Sequence, residues 1–272
     1  MKKFKAAAIQ MASGPNVAAN LTEVGRLIDS AAMQSVQLVV LPENFSLMPM
    51  DEAQRIEEAE DYGSGPAQEF IAAKAREHKI WIVAGTIGIR SRSADRIRSS
   101  SIVYDDQGKD VARYDKIHLF DVKLGTGEEY AESRIFEPGN EVVVVDTPFG
   151  NLGLAICYDL RFPELFRAML DREVELVALP SAFTARTGKA HWEVLVRARA
   201  IENLAYVIAA GQGGYHVNGR DTHGDSMIVG PWGDIHDRLP RGSGMVVAEI
   251  DRDQQASLRS GLPCIHHRQP DL

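Results

Sequence analysis

The sequence predicts an α/β protein in which two sheets pack against each other with helices outside. Three observations predict it. Residues 38–41 and 176–179 are short, unbroken aliphatic runs, with the length of strands and the continuity of strands covered on both faces. Helix-spaced segments alternate with such runs along the chain. The first run is also echoed by the second: Leu38–Val39–Val40–Leu41–Pro42–Glu43–Asn44–Phe45 matches Leu176–Val177–Ala178–Leu179–Pro180–Ser181–Ala182–Phe183 in five of eight positions. Each copy follows a helix and precedes a helix, a strand and a hairpin. Two like halves with no Gly/Ser-rich linker between them imply a single domain over 1–272.

Taken in order, residues 4–11 read as the first strand, and Asn16 caps a helix that runs to 35 on the spacing of Val17, Leu21, Val24, Leu27, Ile28 and Ala31. The strand at 38–41 is closed by Pro42. Residues 48–65 are acidic and weakly patterned, which predicts a loop with a short helix. Residues 66–79 read as a helix, 80–89 as one strand, and 99–104 with 109–114 as a hairpin around Asp105–Asp106–Gln107–Gly108. Periodicity fails from 119 to 139, predicting a long irregular loop of the kind that often carries function. A second hairpin, 141–146 with 152–156, delivers Cys157. Helix 163–172, strand 176–179, helix 189–203, strand 205–210, hairpin 227–239 and strand 245–250 follow, then a tail.

The composition is that of an ordinary soluble globular protein, 44% hydrophobic and 25% charged, and the net charge of −8 argues against nucleic acid or an anionic membrane as partner. No apolar run has membrane-spanning length, and residues 1–11 read as a strand rather than a signal peptide. Two cysteines, Cys157 and Cys264, make neither a disulfide framework nor a C-x-x-C zinc site, and unpaired thiols suit a reducing compartment, the cytoplasm. His266 and His267 are adjacent, so their side chains diverge; no metal is expected. Gly211–Gln212–Gly213–Gly214 lacks the third glycine of a dinucleotide loop, no Walker A sequence is present, and Gly224–Asp225–Ser226–Met227–Ile228 is not a serine elbow. No cofactor is expected.

Chemistry is concentrated at strand ends, where parallel sheets gather their sites. Cys157 stands at a strand-to-helix corner, since Pro163 suits the first turn of a helix. Such a corner exposes a side chain and aims backbone N–H groups at whatever lies in front. Glu43 and Lys116 also follow strands directly. A carboxylate beside a thiol can take its proton, and an ammonium beside both can neutralise an oxyanion, with the Tyr158 N–H as its companion. Each residue also has a plain alternative: an inert buried cysteine, a helix-starting glutamate, a solvated surface lysine. Composition and spacing alone leave these open.

Three blocks decide between them. Leu41–Pro42–Glu43–Asn44–Phe45, Tyr114–Asp115–Lys116–Ile117–His118–Leu119–Phe120–Asp121 and Cys157–Tyr158–Asp159–Leu160–Arg161–Phe162–Pro163–Glu164 resemble, in order and spacing, the nitrilase (carbon–nitrogen hydrolase) superfamily over essentially the whole chain. The resemblance implies a four-layer αββα sandwich, a small-molecule amide substrate and a Glu–Lys–Cys triad at Glu43, Lys116 and Cys157. It places a second glutamate at Glu132, with Glu128 and Glu129 close by in sequence. It also implies a homodimer or higher homo-oligomer, with the tail at about 252–272 in the contacts.

Tyr158–Asp159 after the cysteine departs from the Trp-Glu usual in true nitrilases and favours an amidase. Ala190–His191–Trp192–Glu193, Arg197–Ala198–Arg199–Ala200–Ile201–Glu202, Pro231–Trp232–Gly233 and His267–Arg268–Gln269–Pro270–Asp271–Leu272 are similar to the Nit subfamily, closest to its branch acting on deaminated glutathione. That branch yields 2-oxoglutarate and cysteinylglycine. Its relative ω-amidase cleaves 2-oxoglutaramate, and carbamoyl amino acid amidases, nitrilases and a silent scaffold are the other readings. For a 2-oxo acid carboxylate, Arg161 is the expected partner, with Thr187 as a hydroxyl donor and Tyr158 beside them. Phe45, Phe183 and Trp192 are expected in the core.

Overall fold

The computed structural model describes residues 2–93, 95–123, 125 and 129–269. The first half contains β1 (Lys3–Gln10), α1 (Val17–Met33), β2 (Leu38–Val40), α2 (Glu52–Glu57), α3 (Pro66–His78), β3 (Trp81–Val83), β4 (Ile87–Arg90), β5 (Ile97–Tyr104) and β6 (Asp110–Asp115). A small hairpin, β7 (Asp121–Lys123) and β8 (Glu129–Ala131), precedes β9 (Val144–Thr147), β10 (Gly150–Leu154), α4 (Pro163–Leu170), β11 (Leu176–Ser181), α5 (Ala185–Asn203) and β12 (Tyr206–Gly211). A second small hairpin, β13 (Gly213–Tyr215) and β14 (Asp221–His223), leads to β15 (Ser226–Val229), β16 (Ile235–Leu239), β17 (Gly244–Asp251) and α6 (Arg252–Gly261).

The two large sheets repeat one plan. In the first, β17 runs antiparallel to β1, β1–β2–β3 are parallel, and β5 and β6 return antiparallel. In the second, β9 runs antiparallel to β10, β10–β11–β12 are parallel, and β15 and β16 return antiparallel. The echo in sequence is therefore an echo of topology, with β2 and β11 at corresponding places.

Alternation along the buried strands builds the layers. Phe4, Ala6, Ala8, Leu38 and Val40 face the second sheet, while Ala7, Ile9, Val39 and Leu41 face α1 and α3. On the far side Trp192, Val196 and Ala200 of α5 and Phe166 and Met169 of α4 join the core of the second sheet. Each fully buried Val or Leu in these strands contributes roughly 1.5–3 kcal/mol, which explains runs without a polar residue. Asn16 caps α1 as expected, accepting from the Ala19 N–H at 2.9 Å.

Several boundaries differ from the sequence-based expectation. The strand predicted over 80–89 is two, broken at Gly85, whose φ is +34° and whose Cβ, if present, would lie 2.0 Å from the Pro42 carbonyl oxygen. Both pieces pair with the same edge of β5. The irregular loop at 119–139 contains β7, β8 and a 3-10 turn at Glu132–Arg134, all too short to show a period. A five-residue 3-10 turn, Cys157–Arg161, separates β10 from α4. Helix α5 begins at Ala185 rather than 189 because Thr184 caps it. The tail starts with α6, which docks on its own chain: Gln255 donates to the Glu175 and Leu204 carbonyls, and Arg259 to those of Val174, Asn203 and Leu204. Among the described residues no helix is long and apolar enough to cross a membrane.

Candidate active site

Glu43 follows β2 by three residues and is held by its backbone. Its carbonyl accepts from Gln212 Nε2 at 2.9 Å, and the next residue, Asn44, takes a left-handed φ of +59° while donating its N–H to Thr86 Oγ1 at 2.8 Å. Gln212 lies just past β12 in the other sheet and also bonds Ser13 through both ends of its amide. A wholly buried side-chain amide thus ties the acid-bearing turn to the facing sheet.

Cys157 ends the β10 segment with φ +48°, a conformation rare for a side chain with a Cβ. The 3-10 turn it opens is fixed by Asp159, a wholly buried carboxylate. Asp159 Oδ2 accepts from Tyr114 Oη at 2.7 Å and the Ile156 N–H at 2.8 Å; Oδ1 accepts from the His118 N–H at 3.1 Å and lies 2.7 Å from His118 Nδ1. Those partners flank Lys116, so one carboxylate sets the cysteine turn against the lysine segment. Burial and Asp159 together hold the Tyr114 hydroxyl firmly protonated.

The structure brings Cys157, Glu43, Lys116 and Glu132 into one cavity. Lys116 Nζ lies 2.8 Å from Glu43 Oε1 and 2.9 Å from Glu132 Oε2, and the lysine is only 1% exposed. Burial would strip its proton, but the Glu132 and Glu43 carboxylates outweigh burial and hold the ammonium above its ordinary range. Burial likewise pushes Glu132 up, but Lys116 and the Phe120 N–H, at 2.9 Å, prevail and keep it below the usual carboxylate range. The Cys157 thiol is raised well above the ordinary range by burial and by its hydrogen-bonded neighbour Glu43, against the smaller pull of Lys116. Its Sγ also accepts from the Ala182 N–H at 3.5 Å, just past β11. The resting sulfur therefore keeps its proton beside a carboxylate able to take it.

Glu129 bonds Lys123 at 3.3 Å on the small hairpin and does not line this cavity; Glu128 lies outside the described residues. Tyr158, Arg161 and Thr187 all line it. Arg161 makes no ion pair among the described residues; it lies 5.2 Å from the Phe183 ring and 5.9 Å from that of Tyr158, with Nη1 3.2 Å from His191 Nδ1. Thr187 sits in the first turn of α5, its hydroxyl 2.8 Å from that of Thr184. Phe45, Phe183 and Trp192 are core residues as expected, and Phe183 also reaches the cavity wall.

Sequence reasoning missed Asp159, Gln212, Arg55 and Arg220. Asp159 was within the matched block as a letter only, and its four-way bonding exists only after folding. Gln212 and Arg220 lie in and beside β13–β14, a hairpin of three-residue strands without periodic signal.

An αββα sandwich with a thiol, carboxylates and an ammonium at its strand ends places the chain in a class, and comparison defines it: the chain belongs to the carbon–nitrogen hydrolase family, whose model matches residues 5–260. The resemblance seen in the sequence is borne out in family and in fold. Among curated relatives, deaminated glutathione amidase of a Synechocystis strain is 41% identical, covering 98% of this chain and 99% of that protein. Deaminated glutathione amidase of Homo sapiens is 39% identical, covering 98% and 82%. Of solved structures, the Caenorhabditis elegans NitFhit protein superposes with a TM-score of 0.92 at 36% identity, over 100% of this chain and 66% of that one. Saccharomyces cerevisiae Nit3 gives 0.86 at 31% identity, over 96% and 95%.

Proposed function

We propose that this enzyme hydrolyses the amide of deaminated glutathione, releasing 2-oxoglutarate and cysteinylglycine through a Cys157 thioester. The observation that carries the mechanism is the buried Lys116 ammonium, clamped between Glu43 and Glu132 beside the sulfur. The full-length relatives named for that substrate support the choice of amide.

Glu43 takes the Cys157 proton as the sulfur attacks the amide carbon. Lys116 and the Tyr158 N–H neutralise the tetrahedral oxyanion. The C–N bond breaks as Glu43 passes the proton to the leaving nitrogen, and the amine departs. Water then attacks the thioester, Glu43 taking its proton, and the C–S bond breaks to free the acid and restore the thiol. Glu132 holds Lys116 in place. Arg161 and Thr187 receive the 2-oxo acid carboxylate, the arginine having no competing carboxylate among the described residues.

Measuring cysteinylglycine release from deaminated glutathione beside ammonia release from 2-oxoglutaramate tests the substrate. A higher kcat/KM on the first is expected; a preference for the second, or for carbamoyl amino acids, overturns the assignment. The free thiols Cys157 and Cys264 suit the cytoplasm. Self-association fits the exposed apolar side chains Val194, Ile201 and Trp232, together with the tail; sedimentation at micromolar concentration is expected to show at least a dimer.

A further inference from the structure

We infer that Arg55 and Arg220 form a second carboxylate subsite, in the groove beside the active-site cavity, that holds the carboxylate of the departing amine. The inference rests on the proposed function and sharpens it. The groove shares Phe120, Glu132 and Arg220 with the cavity and adds Arg55 and Tyr130. Arg220 is carried at the end of the turn between β13 and β14, a turn anchored by Asn218, which donates to the Pro49 carbonyl at 2.7 Å. Its guanidinium lies 5.2 Å from the Tyr130 ring centre. Arg55, on α2, donates to Asn44 Oδ1 at 2.8 Å, one residue from Glu43. That places it on the side where Glu43 would hand its proton to the leaving nitrogen, whereas Arg161 and Thr187 stand with α5.

Neither arginine has a carboxylate within ion-pair distance among the described residues, in contrast to Arg98, Arg113, Arg238 and Arg252. The acids that line the groove are otherwise engaged or distant. Glu132 bonds Lys116 and the Phe120 N–H, Glu129 faces Lys123 and Arg134, and exposed Glu52 attracts Arg55 from beyond contact. Two guanidiniums in one recess repel each other, an effect that the Glu132, Glu43 and Glu52 charges only partly offset at Arg55. Burial, and then the charge of Arg220, lower Arg55 to about 10. A carboxylate between them would relieve this and gain charge-assisted hydrogen bonds. The ligand class that fits both ends is an amide with a carboxylate on either side of the scissile bond; an amide that releases ammonia leaves the second subsite empty.

The test compares kcat/KM on deaminated glutathione with that on the same compound amidated at its glycine carboxylate. Wild type is expected to prefer the free acid by about 10–100-fold, the range of charge-assisted hydrogen bonds. Arg220→Gln and Arg55→Gln are expected to shrink that preference through KM, and Arg220→Lys to restore part of it. No preference in wild type, or an equal fall on both compounds in the variants, overturns the subsite. If wild type cleaves neither compound, the substrate reading is at fault. The subsite is then judged by whether N-acetylglycine slows iodoacetamide labelling of Cys157 in wild type but not in Arg220→Gln; equal labelling overturns it.

Discussion

Asp159 and His118 meet at 2.7 Å, each two residues beyond a group of the candidate active site, Cys157 and Lys116. Their contact, with the Tyr114 and Ile156 bonds to the same carboxylate, sets the distance between sulfur and ammonium. Truncation to Asp159→Ala deprives the Tyr114 hydroxyl and the Ile156 and His118 N–H groups of their acceptor and removes the partner of His118 Nδ1. It is expected to cost about 3–5 kcal/mol in urea unfolding and to reduce kcat more than KM. Asp159→Asn keeps an acceptor and should lose less on both counts.

Burial and Glu43 raise the Cys157 thiol well above its ordinary range, so the proposed mechanism makes its reactivity depend on Glu43 rather than on an acidic sulfur. Iodoacetamide is expected to label Cys157 faster than exposed Cys264 near neutral pH, and Glu43→Gln to abolish that advantage while leaving Cys264 unchanged, as read by peptide mass spectrometry. Cys157→Ala should lower kcat/KM by about 10⁴-fold or more with the fold intact.

The clamp on Lys116 predicts a pH window. Glu132 is held below its ordinary value of 4.5, so its share of stability is present above that pH and lost as pH falls through the lowered value. Lys116 is held above 10.5, so its share is present below that pH and lost as pH rises through the raised value. Urea midpoints of wild type and Glu132→Gln should differ by a constant amount between about pH 5 and 10 and converge in acid. A difference that stays constant into strong acid would contradict the clamp.

Arg161 has no carboxylate partner among the described residues, so Arg161→Gln should cost substrate binding and leave the fold unaffected. KM is expected to rise about 10–100-fold, with thermal unfolding unchanged. Thr187→Val, which removes one hydroxyl, should raise KM by less than about 10-fold.

The layers were legible in the sequence because residues 38–41 and 176–179 must be dry on both faces, and the echo between them carried the topology. That Glu43, Lys116 and Cys157 belong together was legible through the blocks around them, and Glu132 joined them only through the resemblance. What could not be read were pieces too short to own a period: the break at Gly85, the small hairpins and the turn at Cys157. Asp159 and Gln212 act across more than 40 residues of chain, and such contacts leave no local mark. Arg220 reads as one more loop arginine until its neighbours are known.

Gln212, reaching from one sheet to the turn of the other, has a bearing on how the enzyme would fail. On the proposed mechanism the acid comes from one half of the duplicated architecture and the sulfur from its counterpart, so the reacting atoms would stay in register only while the two slabs stay aligned. A slip of an ångström between them would silence turnover while every helix and strand survived. Heated gradually, such a molecule should stop working before it melts.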